Sequence, residues 1–410
     1  MRWHPSSGNS AGGSRPIPAP CRRPRVFTSS WGQLESGGSN IGDLAIFSAQ
    51  VRQLGGEFEL GVLSADPAAT AERFGVRGFS LSCGRVAAFF RGVLWADAVI
   101  VGGGELVQDR SSLLYTPFNL LPLRFAWWLR KPSFVWGAGI GQGAELAPWT
   151  PGQLRRWMGR SRGVTVRDRP SREVLLDQGL NPARVVHTAD SAFALTDLYE
   201  PGPRMTDVLG AAPRDVSNRR GSLLPLEIRR KLGIAGRPGR DPDPVQWAKV
   251  LDRHLGAHGG RVRMFAFHTG PLSSSDDSSC ARVASLMENS SRVDLVGVTD
   301  LESFMGALSG CRAILTAPLH GAILGVIAGS LPVAVPYSSK NSRFMSEAGL
   351  GDLVVKKEEG DWSEDASARL DRAWVEAPGI WEGLRDRRLE MAAKSALNPV
   401  LFKRMALGQI

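Results

Sequence analysis

A histidine set just behind an apolar run is the most chemically pointed feature of this chain, in Ala317-Pro318-Leu319-His320-Gly321-Ala322. An imidazole exchanges protons near neutral pH, so a histidine at the start of a helix that follows a buried strand is suited to general acid or base work. Lys340 follows in Tyr337-Ser338-Ser339-Lys340 and opens the next helix, where its ammonium can face the same cleft. Earlier, Asn40-Ile41-Gly42-Asp43 starts a helix out of a Gly-rich loop. Backbone N–H groups at such a start attract anions, and a first-turn carboxylate sits well on the helix dipole; a plain helix cap uses the same residues. Val101-Gly102-Gly103-Gly104-Glu105 ends an apolar strand, where glycines permit either a tight turn or close approach by a ligand or another chain segment. In Gly137-Ala138-Gly139-Ile140-Gly141-Gln142-Gly143-Ala144 a formal G-x-G-x-x-A is present, but Pro148 and Pro151 interrupt the helix it would open and no acidic residue closes the next strand. That argues against a dinucleotide site, and no G-x-x-x-x-G-K-[ST] phosphate loop occurs.

These motifs need a scaffold of alternating strands and helices. Apolar runs predict strands at 26–30, 59–63, 97–101, 133–136, 164–166 and 185–187, with an amphipathic helix over 41–54. Residues 199–221, rich in Pro, Gly and Arg, have linker composition. Alternation resumes beyond them, with Leu301, Phe304, Met305 and Leu308 on one helical face behind an Asp300 cap and a terminal helix over 381–394. The expected organisation is a leader at 1–24, a first Rossmann-like domain at 25–198, the linker, a second at 222–378, and a C-terminal helical segment at 379–410. Such α/β halves place ligands at the carboxyl ends of their strands, facing the cleft.

Composition narrows the function classes. The chain has 410 residues and a formal charge of +10 from 50 basic and 40 acidic residues. That excess favours anionic partners. The basic residues form no stripe in the sequence and no nucleic-acid signature is present, so nucleic acid is not an expected partner. Four widely spaced cysteines suggest neither a disulfide framework nor a zinc site. Residues 1–24 are rich in Pro, Gly and Ser and lack the apolar core of a signal peptide, so they read as a disordered leader and the protein as cytoplasmic. Residues 120–131 mix Leu, Phe and Trp with Arg124, Arg130 and Lys131. Such a segment could form a basic amphipathic surface for peripheral attachment at the inner membrane face, but apolar residues nearly encircle it, which favours a buried crossover helix.

The order Asn40-x-Gly42-Asp43, Gly102 to Gly104, Arg167-Asp168 with Ser171, Ala189-Asp190, His320, Pro332, Tyr337 and Lys340 resembles the polysaccharide pyruvyl transferase family over about residues 26–350. The resemblance implies a GT-B-like fold of two doubly wound, Rossmann-like domains facing a cleft. It also implies transfer of pyruvate from phosphoenolpyruvate to a hydroxyl pair on a cell-surface or exopolysaccharide glycan, free or lipid-linked, to form a ketal. His320 is then the general acid or base. Asn40, Gly42, Asp43, Gly103, Gly104, Arg167, Leu319, Gly321, Lys340 and Arg343 are the candidate substrate-binding residues, with no cofactor and no metal. Two departures accompany it. Pro318 stands where the family carries Arg, and Leu224, in Ser222-Leu223-Leu224, stands where an Arg follows the first strand of the second domain. Arg229, Arg230, Arg312 and Arg343 are candidates to compensate. A nucleotide-sugar glycosyltransferase and an inactive scaffolding relative are the alternatives that the same architecture allows.

Overall fold

The computed structural model describes residues 22–31, 40–109, 112–199, 202, 205–214, 243–269, 275–297, 300–357 and 360–408. Two parallel sheets organise them. The first has the order β3-β2-β1-β4-β5-β6-β7 and the second the order β10-β9-β8-β11-β12. In the first, β1 is Arg25–Trp31, β2 Glu59–Ser64, β3 Arg77–Ser80, β4 Ala98–Val107, β5 Ser133–Ile140, β6 Gly163–Val166 and β7 Val185–His187. In the second, β8 is Val208–Ala212, β9 Arg261–Phe265, β10 Val293–Val296, β11 Ala313–Thr316 and β12 Leu331–Ala334. Strand order reverses beside β1 and beside β8, and ligand crevices form at the carboxyl ends of strands at such points. The expected α/β class with two doubly wound halves is therefore what the chain adopts.

The expected linker at 199–221 needs correction. Val208–Ala212 is the central strand of the second sheet, paired in parallel with both β9 and β11. Its sequence, Val-Leu-Gly-Ala-Ala, is short and small-sided because neighbours cover it on every side, and flanking prolines and arginines mask its apolar signal. The second domain thus begins before residue 222. An arginine following its first strand is Arg214, two residues past β8, so Leu224 is not the position to inspect. Leu224, Arg229 and Arg230 lie outside the described residues, as do residues 1–21 of the expected leader.

The glycine runs also differ from a turn. Gly102, Gly103 and Gly104 lie inside β4 with φ of 123°, 85° and 115°, a region that L side chains avoid. A Cβ on Gly103 would fall 2.5 Å from Ile46 Cγ2, so this kinked strand presses directly on helix α1, Ile41–Leu54.

In the first domain, α2 is Pro67–Phe74, α3 Arg85–Trp95, α4 Tyr115–Asn119, α5 Leu121–Trp128 and α6 Thr150–Gln153. The terminal helix, Ala377–Leu407, is far longer than the pattern over 381–394 predicts. Its start packs Trp381 and Leu384 into the second-domain core. Its end carries Phe402 back to the first sheet, against Phe58, Phe134 and Trp136 at ring distances of 5.8, 5.7 and 6.2 Å. Midway, the buried Arg388 donates to the carbonyls of Thr196, Tyr199 and Ile327 at 2.8, 2.9 and 3.0 Å. One guanidinium thereby ties the end of the first domain to the last turn of the His320 helix, Leu319–Ala328.

Candidate active site

Helix α1 crosses the cleft at its first turn. The Ile41 amide donates to the carbonyl of Phe267, just past β9, at 2.9 Å. Asn40 caps the helix by accepting from the Gly42 amide at 3.1 Å, a contact worth about 1 kcal/mol. Its side-chain amide donates to Asp43 at 2.8 Å. Gly42 meets His320 face to face, for a Cβ there would lie 2.8 Å from Cε1 and closer still to Nδ1 and Cγ. A residue larger than glycine cannot occupy this point while His320 keeps its place.

His320 stands in the first turn of its own helix, its side chain 15% exposed, with Nε2 3.7 Å from Asp190 Oδ2. That spacing is an ion-pair distance rather than a hydrogen bond, and Nε2 has no hydrogen-bond partner among the described residues. The imidazole is therefore held by its walls and keeps a nitrogen uncommitted. Asp190 follows β7 and also accepts from Arg167 Nη1 at 3.2 Å and from the Ala192 amide at 3.1 Å. Burial alone would raise its carboxyl, but His320, Arg167 and that amide outweigh it and hold it at about 2. Burial likewise opposes the Arg167 charge, and Asp190, Asp168 and Glu105 more than restore it. The opposite balance holds at Asp43. Burial lifts its carboxyl above the usual range despite the nearby His320, His268 and Lys340. Two carboxylates thus flank one imidazole, one firmly ionised and one shifted toward accepting a proton.

The cations of the cleft face carboxylates. Lys340 donates to Glu105 at 2.8 Å, joining the second domain to the end of the β4 glycine run, and sits over the Tyr337 ring at 5.3 Å. Tyr115 of α4 donates to the Glu105 carbonyl at 3.1 Å, and burial pushes its phenol up. Arg214 grips Asp276 through Nε at 2.8 Å and Nη2 at 2.5 Å. Burial works against the Arg214 charge, yet Asp276 and Tyr337 raise its pKa further. Asp276 in turn accepts from the amide of His268 at 2.8 Å, which binds Arg214 to the loop touching α1. Beside Arg167 a cavity of about 340 Å³ opens, lined by Asp168, Asp190, Leu319, Lys340 and Phe344 among others. His320 and Asp43 do not line that cavity; the proton-handling groups stand next to it.

Among the residues the sequence singles out, Asn40, Gly42, Asp43, Gly104, Arg167, His320 and Lys340 converge here. A Cβ on Gly104 would lie 3.5 Å from Asp43 Oδ1. Leu319 is buried on the cavity wall. Gly103 serves the packing of β4 on α1, and Gly321 lets the His320 helix close on Thr316, so neither presents an open face. Arg343 turns back onto Ser339 of its own helix at 2.7 Å. Arg312 precedes β11, at the end of the strand opposite His320, with its guanidinium over Trp374 at 4.8 Å. Gly139 leaves room for the Arg167 guanidinium, 2.6 Å from where a Cβ would be, which accounts for that glycine without a nucleotide. Sequence reasoning did not select Arg214, Asp190 or Glu105 as site residues. Asp190 and Glu105 each end a motif already visible, and that placement was the available signal. Among the described residues, the grouping spaced to hold a metal is His254, His258 and Asp371. It neighbours Trp374 and so lies toward the Arg312 end of the second sheet, away from the cleft.

The chain is similar to several known proteins. A curated relative, the amylovoran biosynthesis protein AmsJ of Erwinia amylovora, is 24% identical over 273 residues, covering 63% of this chain and 61% of that protein. The match thus spans less than two thirds of that relative's length. Among solved structures, a UDP-GlcNAc 2-epimerase from Neisseria meningitidis bound to UDP-GlcNAc superposes with a TM-score of 0.58 at 10% identity, over 93% of this chain and 99% of that one. A glycosyltransferase from Rickettsia africae gives 0.56 at 10% identity, over 94% and 97%. At such identity these likenesses show the GT-B-like fold alone. The polysaccharide pyruvyl transferase model matches residues 40–339, from the Asn40 cap through the His320 helix to the start of the Lys340 helix, and the chain belongs to that family.

Proposed function

We propose that this protein transfers pyruvate from phosphoenolpyruvate to a pair of hydroxyls on a surface or exopolysaccharide glycan. The observation that carries the reading is His320, an imidazole with an uncommitted nitrogen, seated between ionised Asp190 and proton-accepting Asp43. A proton delivered to the methylene carbon of the enol phosphate leaves a cationic carbon bearing the phosphate oxygen. One sugar hydroxyl adds to that carbon and gives up its proton. The second adds as the carbon–oxygen bond to phosphate breaks, and its proton leaves on the phosphate, closing the ketal. In this reading His320 supplies the first proton, and Asp43 takes one from the acceptor. Asp190 steadies the imidazolium form, and Arg167 holds Asp190. The anionic donor exchanges carboxylate partners at Lys340 and Arg214, since each cation already has one. Charge-assisted contacts of this kind contribute about 1.5–3 kcal/mol apiece.

The test is phosphate release that depends on both phosphoenolpyruvate and acceptor, with a pyruvate-sized mass gain on the glycan. His320→Asn, which cannot titrate, is expected to lower turnover by about 10²–10⁴-fold with the fold retained. Unchanged turnover removes His320 from the mechanism. Donor binding by a UDP-sugar, with none by millimolar phosphoenolpyruvate, replaces the reading with glycosyl transfer.

A further inference from the structure

Three segments of the first domain, 85–95, 115–131 and 149–162, together carry nine Lys and Arg and no Asp or Glu. In the sequence they are scattered; in the fold they are neighbours. All three lie in connections on one face of the first sheet, where α3 packs on α5 and α5 on the π-helical turn Leu154–Met158 that continues α6. Large apolar side chains project outward among the charges. Val86, Phe90 and Leu94 recur at every fourth residue of α3 and are 50%, 41% and 54% exposed. Trp127 and Trp128 at the end of α5 are 48% and 60% exposed. Beneath them the rings pack in two groups, the buried Phe125 linking Phe90 at 5.5 Å to Trp128 at 5.7 Å and the buried Trp157 meeting Trp127 at 6.0 Å. Arg160 lies over the Trp127 ring at 4.5 Å, and Arg124 and Arg156 over Trp157 at 5.2 and 5.1 Å.

We infer that this face docks on the surface of an anionic phospholipid bilayer. A large apolar patch on a solvent-facing surface marks an interaction site. Tryptophans interleaved with guanidinium groups match the interfacial zone, where an indole sits at headgroup depth and cations meet lipid phosphates. A protein partner would call for a surface poorer in charge at its centre, since interface cores are depleted in charged residues. No helix among the described residues is long and apolar enough to cross a membrane, so contact by this face is peripheral. The face also reaches the cleft. Leu114, 51% exposed, adjoins Tyr115, which is bonded to Glu105 of the candidate site. Asp109 ties the start of α4 to that of α6 through the Thr116 amide and the Thr150 hydroxyl, which sets Trp149, 43% exposed, at the same end. The docked orientation therefore brings the cleft mouth toward the membrane and its lipid-borne glycans, a consequence that rests on the transferase reading, whereas the docking itself does not.

The experiment is flotation of the full chain with vesicles of equal parts phosphatidylglycerol and phosphatidylcholine, against phosphatidylcholine alone, across a salt series. The protein is expected to float with the anionic vesicles at low salt and to be released as salt rises. Arg91→Glu with Arg155→Glu is expected to lower partitioning by at least roughly a hundredfold. Phe90→Ser with Trp128→Ser is expected to lower it roughly tenfold or more and to weaken quenching of indole fluorescence by brominated lipid in step. The salt series on the unaltered chain needs no substitution, so a misfolded variant cannot mask the result. Absence of flotation with anionic vesicles at low salt overturns the inference, and so does flotation that both variants leave intact. Lipid-free dimerisation that Phe90→Ser with Trp128→Ser dissolves, measured by light scattering, would assign the face to a second copy instead. Donor binding by the non-floating variants, measured separately, distinguishes failure of docking from failure of the transferase reading.

Discussion

Gly42→Ala sets two ordinary effects against each other. Gly42 lies in the first turn of α1 and is not among the positive-φ glycines, so alanine meets no backbone obstacle there. Helix propensity alone favours the change by up to about 0.5–1 kcal/mol. The space argues otherwise. The new methyl would stand 2.8 Å from His320 Cε1 and closer to two further ring atoms, an overlap of about 1 Å or more against an ordinary carbon contact. Overpacking on this scale costs about 1–3 kcal/mol, so the net change is a destabilisation of up to about 2.5 kcal/mol. The ring must move by about 1 Å, and misplacement of a catalytic group by that much costs about 10²-fold in rate. Denaturant unfolding and donor-dependent phosphate release measure the two effects. A double-mutant cycle sharpens them. In a His320→Ala background the clash is gone, so Gly42→Ala should become neutral or stabilising, with a coupling of about 1–3 kcal/mol between the positions. Gly42→Ala that is as stable as the parent or more so, with parental turnover and no coupling to position 320, would refute the steric account.

Three further outcomes are expected from the same structure. Asp190→Asn leaves the buried Arg167 without its nearest carboxylate, so it is expected to lose about 3–5 kcal/mol of stability as well as turnover, whereas His320→Asn loses turnover alone; denaturation curves of the two variants compare them. Arg214→Met is expected to raise the KM for phosphoenolpyruvate about tenfold or more with kcat little changed, and an unchanged KM would take Arg214 out of the donor site. Burial, assisted by His258 and Arg312 and opposed by Asp371, depresses the His254 imidazole to about 4. Its folded pKa lies below the unfolded value near 6.5, so stability should be complete above about pH 6.5 and fall by about 3 kcal/mol toward pH 4, a loss that His254→Phe should flatten in acid unfolding curves.

What was legible in the sequence was whatever a local pattern could express. The Asn40–Asp43 cap, the Asp300 cap and the His320 helix start each depend on a few adjacent residues, and each forms as read. β8 was not legible, because a central parallel strand needs only small, unremarked residues when both faces are covered. Arg214 was hidden with it. The carboxylates that decide the chemistry of the site lie far from their partners along the chain, as Asp190 does from His320 and Glu105 from Lys340. The basic face is the clearest case. Its charges looked dispersed along the chain, and only the crossover rule that places successive connections on one side of a sheet gathers them.

The return of the terminal helix has a consequence for how the chain is made. Phe402 is fully buried among Phe58, Phe134 and Trp136, which emerge from the ribosome hundreds of residues earlier. On a nascent chain the first sheet therefore waits with an apolar face open while the whole second domain is synthesised. Its closing segment leaves the exit tunnel only after both sheets. Domains usually complete themselves in the order of their synthesis, but here the first to appear is the last to be sealed. Exposed apolar surface of that kind is what holdase chaperones bind, so a nascent chain that lacks the terminal helix offers them a surface that the finished chain covers.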